Sequence, residues 1–302
     1  MQLPRIFTAM VTPFNESGEM DYDQAGRLAE WLMAHGSEGL ILSGTTGESP
    51  ALTDSERMRL LRAVRERLGP DVPLWMGTGT NNTVHSRELS WEAADNGADG
   101  VLLVCPYYNK PPQEGLIRHF TQIATGLPIP VMLYNIPSRT GVNLLPASVR
   151  TITQECDNVV AIKEAGGSLP QLQELIGVLP PRVRVYSGDD AMYFTALTLG
   201  AYGVVSVAAH LVGNELGTMT QSVLEGNLER ARRIHATLTP LFQELFRYTN
   251  PISVKWALNY LGIPVGDVRL PLVTPHHEQA FESLRQLIIR LVSAGLYSEA
   301  EA

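Results

Sequence analysis

Lys163 closes a short apolar run, Val159-Val160-Ala161-Ile162, and Glu164-Ala165-Gly166-Gly167 follows it. Four small or β-branched residues in a row read as a strand buried on both faces of a parallel sheet, and the glycines end it. The amine then stands at the C-terminal end of a strand, which in an α/β barrel is the catalytic side. Once deprotonated, such an amine attacks a ketone, and the protonated imine serves as an electron sink for an enamine or carbanion. A lysine that only snorkels to solvent would look the same in isolation, so the residues after the other apolar runs must decide.

Those residues are polar and specific. Gly44-Thr45-Thr46-Gly47-Glu48-Ser49 sets two hydroxyls beside a backbone that can approach a ligand closely, a cradle suited to a small carboxylate. Thr45 and Glu48 also have the spacing of a helix capping box, so a cap remains an equal reading of this loop. Pro106-Tyr107-Tyr108-Asn109-Lys110 carries two phenols, which serve packing or an interface as readily as proton transfer. Tyr134-Asn135-Ile136-Pro137-Ser138-Arg139-Thr140-Gly141 puts a phenol and a guanidinium on one turn: the first can relay protons, and the second can clamp a carboxylate with two hydrogen bonds. Ser187-Gly188-Asp189-Asp190 and Ser206-Val207-Ala208-Ala209-His210 offer mainly backbone to a pocket. Gly77-Thr78-Gly79-Thr80-Asn81-Asn82 lacks the third glycine of a dinucleotide fingerprint, which argues against NAD. A lysine, phenols, a threonine loop and an arginine on one face favour the chemical reading of Lys163.

The elements that must position these groups recur about eight times as amphipathic segment, small turn and apolar run. The runs are 6–11, 39–42, 74–77, 100–104, 130–134, 159–162, 183–186 and 203–207. Three are introduced by near-copies of one turn, at Gly36, Gly97 and Gly200, where the glycine suits a helix C′ position. Alternation of this kind implies a parallel sheet, and eight units favour closure into a (β/α)8 TIM barrel over residues 1–226. Thr53 with Glu56 and Ser168 with Gln171 have capping-box spacing and open helices running to Leu68 and Leu179. The remainder, 227–302, reads as a C-terminal all-helical extension with helices over 227–247, 251–261 and 276–294. His276-His277 then marks a helix start rather than a metal site.

Composition narrows the function classes. The 302 residues are 44% hydrophobic and 18% charged with a net charge of −8, and the basic residues are scattered, which argues against a nucleic-acid surface. No stretch nears the ~20 apolar residues of a membrane span, and the first residues lack a secretory apolar region, so a cytoplasmic protein is expected. Cys105 and Cys156 fall in different elements and read as packed thiols.

The segments Gly44-Thr45-Thr46-Gly47-Glu48, Tyr134 to Gly141 and Ile162-Lys163-Glu164 resemble the pyruvate-dependent class I aldolase family of dihydrodipicolinate synthase and N-acetylneuraminate lyase. The likeness covers nearly the whole chain. Pro106 to Asn109, Arg139 and Asn250-Pro251-Ile252-Ser253-Val254-Lys255 are similar to the synthase branch. The resemblance implies that Lys163 condenses with pyruvate and that Thr45, Tyr134 and Tyr108 relay protons, with Tyr108 contributed across an interface of a homotetramer built as a dimer of dimers. It implies that Thr46 holds the pyruvate carboxylate, Arg139 receives L-aspartate-4-semialdehyde, and the backbone carbonyls of Gly188 and Val205 line the pocket. The product would be 4-hydroxytetrahydrodipicolinate, on the route to diaminopimelate and lysine, formed with no metal or organic cofactor. Ser49, Asn81 and Tyr107 match a lysine effector site, but Asp54, Arg57 and His85 stand where inhibited relatives carry two histidines and a glutamate. A sister aldolase acting on 4-hydroxy-2-oxoglutarate or another 2-oxo acid, and an idle 2-oxo acid sensor, are the alternative readings.

Overall fold

The computed structural model describes residues 3–277, 279–293 and 295. Its first half runs β1 Ile6–Ala9, α1 Tyr22–Ala34, β2 Gly39–Leu42, α2 Asp54–Leu68, β3 Leu74–Gly77, α3 Thr83–Asp95, β4 Gly100–Val104, α4 Gln113–Ala124 and β5 Val131–Asn135. The second half runs α5 Pro137–Thr140, α6 Pro146–Glu155, β6 Val159–Glu164, α7 Leu169–Val178, β7 Arg184–Ser187, α8 Tyr193–Thr198, β8 Gly203–Ser206, α9 Ala209–Leu224, α10 Leu228–Leu245, α11 Ile252–Tyr260 and α12 Glu282–Ser293. The eight strands are joined in chain order in a closed barrel, a TIM barrel. The chain forms two compact units, one of residues up to Arg5 with Pro73–Val205, the other of Ile6–Val72 with Ser206 onward.

In the first unit, β3 to β8 pair in parallel. The strands are short and mostly apolar runs, buried on both faces apart from the exposed Arg184 that opens β7 and the half-buried Val104 and Val160. In the second unit, β1 pairs with β2 in parallel and α9 packs on β1; α1, α10 and α11 pack against α9, α2 against α1, and α12 against α10 and α11. The three repeated turns carry their first glycine at φ +95 (Gly36), +90 (Gly97) and +103 (Gly200), the left-handed region that a C′ residue needs. Thr53 and Glu56 form a complete capping box on α2.

Two expectations are corrected. Ser168 caps α7 by accepting from the Gln171 amide, but the Gln171 side chain does not return to it, because the buried Glu164 carboxylate and the half-buried Asn143 amide compete for it. The last helix starts at Glu282, not His276: His276 and His277 are exposed, and the apolar i, i+4 face that draws a helix inward begins only at Leu284 and Ile288. The expected end of that helix at 294 lies outside the described residues. The strand of Lys163 runs one residue further, through Glu164, which keeps the amine at the strand's C-terminal end.

His210 shows how the second unit is pinned. The ring is fully buried; Nδ1 donates to the Val207 carbonyl at 2.9 Å and Nε2 accepts from the Val11 amide at 3.1 Å. Only the neutral ring satisfies both, and burial pushes its pKa down from 6.5 to about 4. The unfolded chain therefore takes up the proton first. This contribution is complete above pH 6.5 and is lost as the pH falls toward 4. Thermal midpoints should drop less steeply between about pH 8 and about pH 4.5 in His210→Gln, whose amide still accepts from Val11 but does not titrate. Parallel slopes for the two proteins would remove His210 as a source of acid sensitivity.

Candidate active site

In the first unit the strand register decides which side chains meet. Val104, Tyr134, Lys163, Tyr186 and Gly203 are paired in succession across β4 to β8, so the side chains of the first four share a face. Lys163 is 6% exposed, and its Nζ lies 4.2 Å from the centre of the Tyr134 ring. Among the described residues this amine has no hydrogen-bond acceptor and no carboxylate partner. Gly188 lies against it: a Cβ there would meet Lys163 Cε at 2.9 Å and the Ala165 Cβ at 2.7 Å. Glycine is required because the lysine side chain occupies that space. Val205, two residues beyond Gly203, is buried on the lysine's face.

Arg139 is exposed on the short helix α5, one turn past the end of β5. Tyr107 is half-buried, whereas Tyr108 is 89% exposed and held at φ +73. An unglycinated left-handed residue with a bare aromatic ring is costly in isolation. Asn109 donates to the Asn81 carbonyl at 3.0 Å, tying the tyrosine loop to the loop after β3, and His85 lies on the first turn of α3.

In the second unit the threonine loop is gripped from several sides. Thr45 is half-buried and its carbonyl accepts from the Glu48 amide at 3.1 Å. Thr46 is buried, and its Oγ1 accepts from Asn250 Nδ2 at 2.8 Å. Thr12 Oγ1 donates to the Gly47 carbonyl at 2.7 Å, and Arg57 to the Ser49 carbonyl at 2.7 Å. Asp54, beside them, lies 4.0 Å from Arg57 Nε.

Glu48 settles the capping question. Its φ is +55, only a three-residue 3-10 turn follows, and its carboxylate caps nothing. Oε1 meets Lys255 Nζ at 3.0 Å and Oε2 accepts from the Arg269 amide at 2.8 Å. Lys255 also donates to the carbonyls of Thr12 at 3.0 Å and Asp267 at 2.6 Å, so all three of its protons are used. Burial raises the pKa of Glu48 and lowers that of Lys255, and the contact between them pulls each back toward its charged form. Sequence reasoning treated Lys255 only as part of a resemblance. Yet a lysine between Val254 and Trp256 on an apolar helix carries the same signal that singled out Lys163.

Lys255→Met should lose about 3–5 kcal/mol in urea unfolding, because it strands a buried carboxylate. The double change Glu48→Gln with Lys255→Met should recover part of that loss. A loss in the single variant below about 1 kcal/mol would place this pair with weak surface bridges.

In a closed parallel barrel the strand ends are where chemistry is placed, and a buried amine beside a phenol, with no carboxylate partner among the described residues, is what Schiff-base formation requires. The chain belongs to the dihydrodipicolinate synthetase family, which residues 2–290 match. It is 50% identical over 288 residues, 95% of either chain, to the 4-hydroxy-tetrahydrodipicolinate synthase of Heliobacterium modesticaldum. It is 49% identical over 284 residues, 94% of this chain and 96% of the other, to that of Symbiobacterium thermophilum. The crystal structure of DHDPS from Cyanidioschyzon merolae with lysine bound superposes with a TM-score of 0.93 at 44% identity, over 97% of this chain and 98% of that one.

Proposed function

We propose that this chain condenses pyruvate with L-aspartate-4-semialdehyde through an imine on Lys163, giving 4-hydroxytetrahydrodipicolinate. The observation that carries the reading is the lysine itself: buried on the strand end, against the Tyr134 ring and Gly188, with no acid among the described residues to occupy it. Near-half identity over nearly full length to proteins of that name supports the choice of substrates.

The Lys163 nitrogen adds to the C2 carbonyl of pyruvate and expels water, leaving an iminium. Loss of a C3 proton gives the enamine, whose C3 then bonds to the aldehyde carbon as that oxygen takes up a proton. The amino group of the second substrate next displaces the Lys163 nitrogen at C2, which closes the ring and frees the enzyme. The protons move through Thr45, Tyr134 and Tyr108, the last supplied by a second copy within a homotetramer. The exposed, left-handed Tyr108 supports that sharing, since a projecting phenol gains most when another chain covers it. Thr46 and adjacent amides bind the pyruvate carboxylate, Arg139 binds that of the semialdehyde, and the carbonyls of Gly188 and Val205 line the pocket. No metal or organic cofactor enters, because the imine stores the electrons. We place the barrel in 1–226 and a helical extension in 227–302, in a cytoplasmic enzyme; among the described residues no helix is long and apolar enough to cross a membrane.

Pyruvate-dependent consumption of the semialdehyde should occur with the purified chain and vanish in Lys163→Ala, with borohydride and pyruvate fixing a mass adduct only on the natural protein. An adduct without consumption would move the reading to a sister aldolase; no adduct would leave a 2-oxo acid sensor.

Ser49, Asn81, Tyr107 and His85 form a degenerate effector site in this reading. Arg57 supports the degeneracy, being buried and committed to the Ser49 carbonyl, while His85 replaces an acid that would hold the effector's ammonium. Lysine should inhibit weakly or not at all in steady-state assays. Half inhibition at submillimolar lysine would overturn this.

A further inference from the structure

Behind Lys163, on the opposite face of β6, the Glu164 carboxylate is buried with no cationic partner among the described residues. Its oxygens meet only donors: the Gly166 amide at 2.6 Å, Asn135 Nδ2 at 3.0 and 3.3 Å, and Gln171 Nε2 at 3.0 Å. The orientation of each amide is fixed independently. Asn135 Oδ1 accepts from the Leu144 amide at 2.9 Å, and its Nδ2 also donates to Asn143 Oδ1 at 2.8 Å. Asn143 and Gln171 exchange two bonds, Asn143 Nδ2 to Gln171 Oε1 at 2.7 Å and Gln171 Nε2 to Asn143 Oδ1 at 3.1 Å. The site at 164 must therefore accept on both oxygens, which only an ionised carboxylate does.

The members of this cluster are the immediate neighbours of the proposed reacting groups. Asn135 follows Tyr134, Glu164 follows Lys163, and the two pairs are in register across β5 and β6. Asn143 and Leu144 anchor the segment that returns from the Arg139 turn. We propose that Glu164 is a positioning residue: through Asn135, Asn143 and Gln171 it fixes the strand ends that hold Lys163 and Tyr134 and the turn that holds Arg139. This role rests on the imine reading given above.

Glu164→Gln tests it. An amide introduced at 164 points a donor either at the Gly166 N–H, which cannot turn away, or at Asn135 and Gln171, neither of which can rotate without surrendering its bonds to Leu144 or Asn143. The variant should remain folded by circular dichroism, with faster amide exchange confined to 135–144 and 164–171. The rate of borohydride-trappable pyruvate adduct formation and the turnover of the semialdehyde should fall about 10- to 100-fold. The exchange of roles in E164Q/Q171E returns a carboxylate to the cluster from α7 and should recover most of both rates. Rates equal to those of the natural chain in Glu164→Gln, whatever its thermal midpoint, would overturn the proposal. If that variant fails to fold, Gln171→Ala removes one of the donors on Glu164, together with the two bonds to Asn143, from a half-buried helix position; a smaller loss of both rates is expected, and unchanged rates would again overturn it. A natural chain that forms no pyruvate adduct defeats the proposed reaction and this role together, whereas an active natural chain with an equally active Glu164→Gln defeats this role alone.

Discussion

Side chains on a parallel strand alternate between two faces, so no reacting group can stand at a strand end without committing its neighbour to the opposite face. Tyr134 and Lys163 share one face of the β5–β6 ladder, and Asn135 and Glu164 share the other. A slip of one residue would exchange lysine for glutamate at the site and leave a carboxylate on the reactive face. The Asn135–Glu164 contact at 3.0 Å penalises that slip, because it forms only when the observed pairing holds. Chemistry on one face and register on the other are therefore two consequences of the same four residues.

The chain buries two lysines, and their surroundings separate their roles. Lys255 is 1% exposed and spends its three protons on Glu48 and two carbonyls, with the Phe14 ring 4.3 Å from its Nζ. A cation so completely bonded is a structural tie and has nothing left with which to meet a substrate. Lys163 is as well hidden from water but meets only a ring face and a glycine. Burial alone does not distinguish the two amines; the number of committed protons does.

Local signals carried most of the fold. Each apolar run became a strand within two residues at either end, since a buried parallel strand and its bounding glycines are written in consecutive residues. Lys163, Tyr134 and Gly188 were legible for the same reason, each standing at or just beyond the end of such a run. What was not legible depends on contacts made over long separations. Glu48 has the spacing of a cap, and nothing near it in sequence reveals a partner 207 residues away. Gln171 likewise has the spacing of a capping-box residue, but its side chain is claimed by Glu164 and Asn143, the latter 28 residues earlier. His276 misled because a proline and polar residues resemble a helix start, while the apolar face that fixes the helix lies further on.

The threonine loop shows why its unit includes chain from beyond the barrel. Ser43 and Glu48, neither a glycine, hold φ of +51 and +55 on either side of Gly44 to Gly47. Conformations of that kind cost about 1–3 kcal/mol each and persist only where the surroundings over-determine them. At Gly47 a side chain would press on the Ser43 amide at 3.0 Å and the Met10 carbonyl at 3.1 Å, so the loop cannot relax outward by substitution there. The restraint comes from α11 and the segments on either side of it: Asn250 on the Thr46 hydroxyl, Lys255 on the Glu48 carboxylate and the Arg269 amide on its second oxygen. Gly266, at φ +67, brings that segment so close that a Cβ would stand 1.9 Å from the Phe14 carbonyl. The threonine hydroxyls are thus aimed by a strained backbone, and the strain is held by residues more than two hundred positions away. Helix α11 belongs to the construction of the loop as much as the strand that leads into it.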